Sequence, residues 1–136
     1  MKLAIVYWSG TGNTEAMANA IADGAKAAGA EVELLTCADM DAAKAADYDA
    51  LAFGCPAMGA EDLEDMEFAP MWENVAGALA GKRVVLFGSY GWGDGEWLRT
   101  WKDNAPCEIL DTYACQETPD DSAVAELNAL GEKLVK

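Results

Sequence analysis

Short apolar runs alternate along the chain with stretches whose apolar positions recur at helical spacing. Leu3-Ala4-Ile5-Val6-Tyr7 is a run of the first kind, ended by Ser9-Gly10, as expected of a parallel strand buried on both faces. Asn13 to Ala28 then reads as a helix, with Met17, Ile21, Ala25 and Ala28 on one side and Gly29 as its stop. Glu31 to Thr36 is a second strand, Asp39 to Ala46 a short helix, and Ala50 to Gly54 a third strand ending at Cys55-Pro56. Residues 56 to 66 form a glycine- and acid-rich loop. A helix over Glu67 to Leu79 follows, with Pro70 near its start. Arg83 to Gly88 is a fourth strand, Ser89 to Gly95 a glycine-dense loop, Glu96 to Lys102 a short helix, and Cys107 to Cys115 a fifth strand. The last helix is read with Thr118 as N-cap, Pro119 at its first position and Asp120 and Asp121 in its first turn. Val124, Leu127, Leu130 and Leu134 form its apolar side.

Five strands alternating with helices predict an α/β fold, a doubly wound parallel sheet with helices on both faces. No linker or repeat interrupts residues 1–136, which are read as one domain. In such sheets a ligand sits beyond the carboxyl ends of the strands. That rule points to three loops, at 8–14, 55–62 and 88–97.

Composition narrows the function. The 136 residues include 9 Lys and Arg against 24 Asp and Glu, a formal charge of −15. Such a surface repels phosphate backbones and anionic lipid, which argues against nucleic-acid and membrane-surface partners. No histidine is present, so Ser-His catalysis and histidine metal sites are excluded. Cys37, Cys55, Cys107 and Cys115 contain no C-x-x-C pair, so no zinc or iron–sulfur site is expected. They read as buried free thiols of a reducing cytoplasm. The apolar start of the chain is too short for a signal peptide, and no run reaches transmembrane length.

The first loop, Ser9-Gly10-Thr11-Gly12-Asn13-Thr14, links a buried strand to a helix N-terminus. Free N–H groups and a positive partial charge there bind anions. The loop lacks the lysine of a P-loop. Its donors are hydroxyls, an amide and backbone N–H groups, which suit a phosphate monoester.

Ile5, Val6, Tyr7, Ser9, Gly12, Thr14, Ala18 and Ile21 match the flavodoxin signature at its restricted positions. Nearly the whole chain resembles a short-chain flavodoxin of the clostridial and rumen-anaerobe subclass. The resemblance implies strand order 2-1-3-4-5 with non-covalently bound FMN at the β1/β3 switch point, flavodoxin being itself a standard example of that rule. In the second loop, Cys55-Pro56-Ala57-Met58-Gly59-Ala60-Glu61, it implies that Met58 covers one flavin face. It also implies that Gly59 turns its peptide so that its carbonyl accepts from flavin N5–H, and that Glu61 accepts from N3–H. In the third loop, Ser89-Tyr90-Gly91-Trp92, it places Trp92 on the other flavin face, with Tyr90 and Gly91 along the pyrimidine edge. Tyr7 reads as core, Trp8 as a shield for the phosphate or ribityl side, and Trp97 and Trp101 as packing of their helix onto the sheet. The resemblance weakens between Lys102 and Ile109, a stretch shorter than the subclass implies by about one helical turn.

The function implied is a low-potential one-electron carrier, not an enzyme, cycling FMN between neutral semiquinone and anionic hydroquinone. Its expected partners are flavodoxin- and ferredoxin-dependent oxidoreductases with basic docking patches, met by a monomer in the cytoplasm. Between Lys44 and Lys82 there is no basic residue but eight acids, five of them from Glu61 to Glu67, beside the expected flavin. Their potential opposes adding negative charge to the ring and attracts basic surfaces.

Overall fold

The computed structural model describes residues 2–8, 12–56, 67–90, 96–116 and 118–135. Its elements are β1 (Lys2–Tyr7), α1 (Asn13–Ala27), β2 (Glu31–Thr36), α2 (Ala42–Ala45), β3 (Ala50–Gly54), α3 (Phe68–Val75), β4 (Arg83–Tyr90), α4 (Glu96–Asn104), β5 (Asp111–Gln116) and α5 (Asp121–Val135). The strands form one parallel sheet in the order β2-β1-β3-β4-β5, as the resemblance implied.

The period of two along each strand divides the core into two layers. Ala4, Val6, Leu51, Phe53, Val84 and Leu86 face α2, α3 and α4. Leu3, Ile5, Ala50, Ala52, Val85 and Phe87 face α1 and α5. The first layer is dominated by aromatic groups: Trp72 meets Phe53 and Trp101 edge-on at centroid distances of 5.1 and 5.3 Å. Trp97 and Trp101 are buried there, as their spacing on α4 predicts. The second layer is built on close backbone approach. A Cβ on Gly24 of α1 would fall on the carbonyl oxygen of Asn128, and one on Gly131 of α5 would fall on that of Ile21 and lie 2.9 Å from Ala25 N.

Several local expectations are corrected. The helix expected over 39–46 is instead a 3-10 turn at Cys37–Asp39 followed by the single turn of α2. Thr36 and Asp39 cap the first, Met40 is extended, and Asp41 caps the second by accepting from Lys44 N at 2.7 Å. Over 67–79 the α-helix covers Phe68–Val75, and a 3-10 turn continues it from Ala76 to Ala78. Pro70 lies in the first turn, where a missing N–H costs no intrahelical bond. β4 runs two residues further than expected, to Tyr90, and α4 two further, to Asn104.

β5 begins at Asp111 rather than Cys107. Asp111 pairs with Val85 and Leu110 N donates to Val84 O at 2.7 Å, so residues before Ile109 would need partners before Arg83, where the chain turns at Gly81 with φ +80°. α5 is capped not by Thr118 but by Asp120, whose Oδ1 accepts from Ala123 N at 2.8 Å. Cys37 and Cys55 are buried, Cys107 and Cys115 only half-buried, and all four are free thiols. No helix among the described residues is long and apolar enough to cross a membrane.

Candidate functional site

The carboxyl ends of β1, β3 and β4 lie side by side. Trp8 N donates to Gly54 O at 3.0 Å and Cys55 N to Phe87 O at 3.1 Å, so the chain leaves these strands at one level of the sheet. Of the residues singled out in the sequence, Gly12, Asn13, Thr14, Pro56, Ser89 and Tyr90 are described, and all lie at this end. Ser9, Gly10, Thr11, Ala57, Met58, Gly59, Ala60, Glu61, Gly91 and Trp92 lie outside the described residues.

At the start of α1, Gly12 takes φ +91°, a left-handed conformation that a side chain resists. Its carbonyl accepts from Ala16 N at 3.0 Å, and among the described residues no side chain caps the helix. The first-turn N–H groups and the positive end of the helix dipole are thus offered to an anion. Thr14 adds a more specific mark. It is 1 % exposed, and its Oγ1 has no hydrogen-bond partner among the described residues. Burying a hydroxyl without a partner costs about 1–3 kcal/mol, so such a group points to a ligand that completes it. A phosphate monoester fits this set of neutral donors.

The sequence reading missed Thr118 at this site. Its hydroxyl donates to Asn13 Oδ1 at 2.8 Å, which leaves the Asn13 amide N–H groups directed elsewhere. The two residues are 105 positions apart, and only the β4–β5 pairing that ends at Tyr90 and Gln116 brings the α5 approach beside α1. Tyr90, Tyr113, Cys115, Gln116, Thr118 and Asp120 border a cavity of about 460 Å³ at this end. A hollow of about 310 Å³ between α1 and α5 is walled by Asp23 and Glu132, whose charges oppose an anion.

The groups around the strand ends are held neutral. Burial first, and then the Asp120 carboxylate, pushes the Cys115 thiol up to about 11, and its sulfur lies 3.6 Å from Met17 Sδ. A thiol so protonated is a poor nucleophile. Burial, followed by nearby acidic groups, raises Tyr113, and burial, followed by Glu15, raises Tyr7. Tyr7 packs against the α1–α5 layer as expected. Trp8 leans the other way, against the α2–α4 layer, and its indole N–H donates to Glu67 at 3.3 Å.

The chain matches the family model described as "Flavodoxin" over residues 5–104. It is 47 % identical to a flavodoxin of Megasphaera elsdenii, across 97 % of each protein. It is 40 % identical to a flavodoxin of Clostridium beijerinckii, across 97 % of this chain and 98 % of that one. The solution structure of two-electron reduced Megasphaera elsdenii flavodoxin superposes with a TM-score of 0.87 at 46 % identity, covering 96 % of this chain and 98 % of that one.

Proposed function

The chain belongs to the flavodoxin family, and from that premise we propose that it binds one FMN per chain and carries electrons one at a time between redox proteins. It is an electron-transfer flavoprotein and not an enzyme in its own right. The observation that carries the reading is the buried Thr14 hydroxyl in the first turn of α1, without a partner among the described residues, where a single phosphate would complete it. FMN, when bound, supplies the electron storage. The protein's part is to hold it, exclude water and set the charge around it.

In this reading Ser9, Gly10, Thr11, Gly12, Asn13 and Thr14 bind the phosphate. Met58 and Trp92 cover the two faces of the ring, a thioether fitting an irregular surface and an indole a flat one. Pro56, Ala57 and Ala60 shape the second loop. The Gly59 carbonyl would accept a hydrogen bond from flavin N5–H, and Glu61 one from N3–H. Ser89, Tyr90 and Gly91 line the pyrimidine edge.

The partners we infer carry basic docking patches. Helix last turns bring Lys26, Lys44, Lys102 and Lys133 to the end of the sheet where β1 and β4 start with Lys2 and Arg83. Helix first turns bring Glu15, Glu96 and Asp121 to the cofactor end. Part of that positive charge is spent on neighbours, Lys2 on Glu33 and Lys133 on Asp111, while the net charge of −15 attracts a basic partner. The free thiols suit a reducing cytoplasm, where we place the protein as a monomer.

Titration of the apoprotein with FMN and with riboflavin tests the phosphate assignment. Hydrogen bonds to a charged group contribute about 1.5–3 kcal/mol each, so riboflavin is expected to bind at least about tenfold more weakly. Equal affinities would remove the phosphate loop from the site.

A further inference from the structure

Trp97 touches the ends of two strands at once. Its indole Nε1–H donates to the Cys55 carbonyl at 3.2 Å in a buried hydrogen bond. Cys55 is the first residue beyond β3, fully buried, and Pro56 after it has no N–H with which to continue the ladder. On its other side the Trp97 ring meets Tyr90, the last residue of β4, at 5.7 Å between centroids and 58° between planes. Gly88 makes the arrangement possible. A Cβ there would lie 2.9 Å from Trp97 Cζ2 and would collide with the Cys55 carbonyl oxygen. One rigid side chain, 2 % exposed, is thus clamped between the points where the chain departs into the second and third loops.

We propose that Trp97 is a positioning residue that sets the separation of the two loops enclosing the flavin ring, without itself touching the cofactor. The proposal rests on the FMN reading above. The indole spans from the strand end at Cys55 to the strand end at Tyr90, so its hydrogen bond and its width together fix how far apart the loops begin. The phosphate cradle at Gly12–Thr14 belongs to β1 and α1, which Trp97 does not bridge. Its effect is therefore confined to the ring end of the site. Trp101, one turn further along α4, provides the contrast. It is equally buried, packs edge-on against Phe68 and Trp72, and its Nε1 has no partner among the described residues.

The test compares holoprotein of the parent with Trp97→Phe and Trp101→Phe. Trp97→Phe is expected to weaken FMN and riboflavin by the same factor of about ten, which is about 1.4 kcal/mol. With FMN at saturation it is also expected to change the visible circular dichroism of the bound flavin and to shift at least one of its two reduction potentials. Trp101→Phe is expected to leave the affinities, the dichroism and the potentials at parental values. Should Trp97→Phe not fold, ¹⁵N-labelled parent protein decides the matter: the Trp97 indole N–H resonance moves on flavin reduction and that of Trp101 does not. Parental dichroism and potentials in saturated Trp97→Phe, or the same changes in Trp101→Phe, would overturn the proposal. A parent protein that binds no FMN would overturn the functional reading itself, and this proposal with it.

Discussion

Thr14→Val is expected to weaken FMN binding by roughly 10- to 150-fold while leaving the apoprotein at least as stable as the parent. The two effects have opposite origins. In the apoprotein the Thr14 Oγ1 is buried and has no partner among the described residues, so an isosteric methyl removes an unsatisfied polar group. In the proposed FMN complex the same hydroxyl would donate to a phosphate oxygen, and a hydrogen bond to a charged acceptor contributes about 1.5–3 kcal/mol. Urea unfolding of the apoprotein and a flavin fluorescence titration measure the two sides. A loss of apoprotein stability with unchanged FMN affinity would mean that the hydroxyl serves the fold and not the ligand.

Gly131→Ala is expected to lower stability by about 3 kcal/mol, through overpacking that the site cannot relieve. The obstructing atoms are the backbone carbonyl of Ile21 and the Ala25 N, not the end of a side chain that could rotate away. α5 would have to lift from α1 and loosen Leu127, Leu130 and Leu134 from the sheet. At this chain length the midpoint of thermal unfolding should fall by on the order of 10 °C. A midpoint within a degree or two of the parent would show that the helices separate at little cost.

How far the sequence revealed the fold depended on whether a signal was local. β1 and β3 are continuous apolar runs because both their faces are covered, and β2 ends where Thr36 caps the next turn. Local signals fall short where one residue type has competing uses. Thr118 and Asp120 both carry capping side chains. Only the register of β5 assigns the cap to Asp120 and turns Thr118 toward Asn13. β5 pairs only from Asp111, opposite Val85 and two residues into β4, a register that the Cys107–Leu110 segment does not encode.

The candidate site shows the same division. The helix-start loop at 9–14 is legible because an anion cradle is built from neighbours in sequence. Thr118 and Trp97 act on residues 105 and 42 positions away, and nothing local marks them. The spacing of Trp97 marks it as a packing residue, which it is. Its hydrogen bond to Cys55 follows from the sheet order that sets β3 beside β4.

The central claim, that this protein carries electrons singly on bound FMN, is tested most directly by stepwise reduction of the holoprotein followed by absorbance. The proposed hydrogen bond from N5–H to the Gly59 carbonyl should favour the first electron by about 0.5–1.5 kcal/mol. The acids that begin at Glu61 should oppose the second. A unit charge at about 10 Å in an effective dielectric of about 20 contributes about 1.7 kcal/mol before screening, and about 1.4 kcal/mol corresponds to 59 mV in a one-electron step. The account predicts two separated steps, with a long-wavelength band that rises during the first and disappears during the second. Passage straight from yellow to colourless, with no such band, would contradict it.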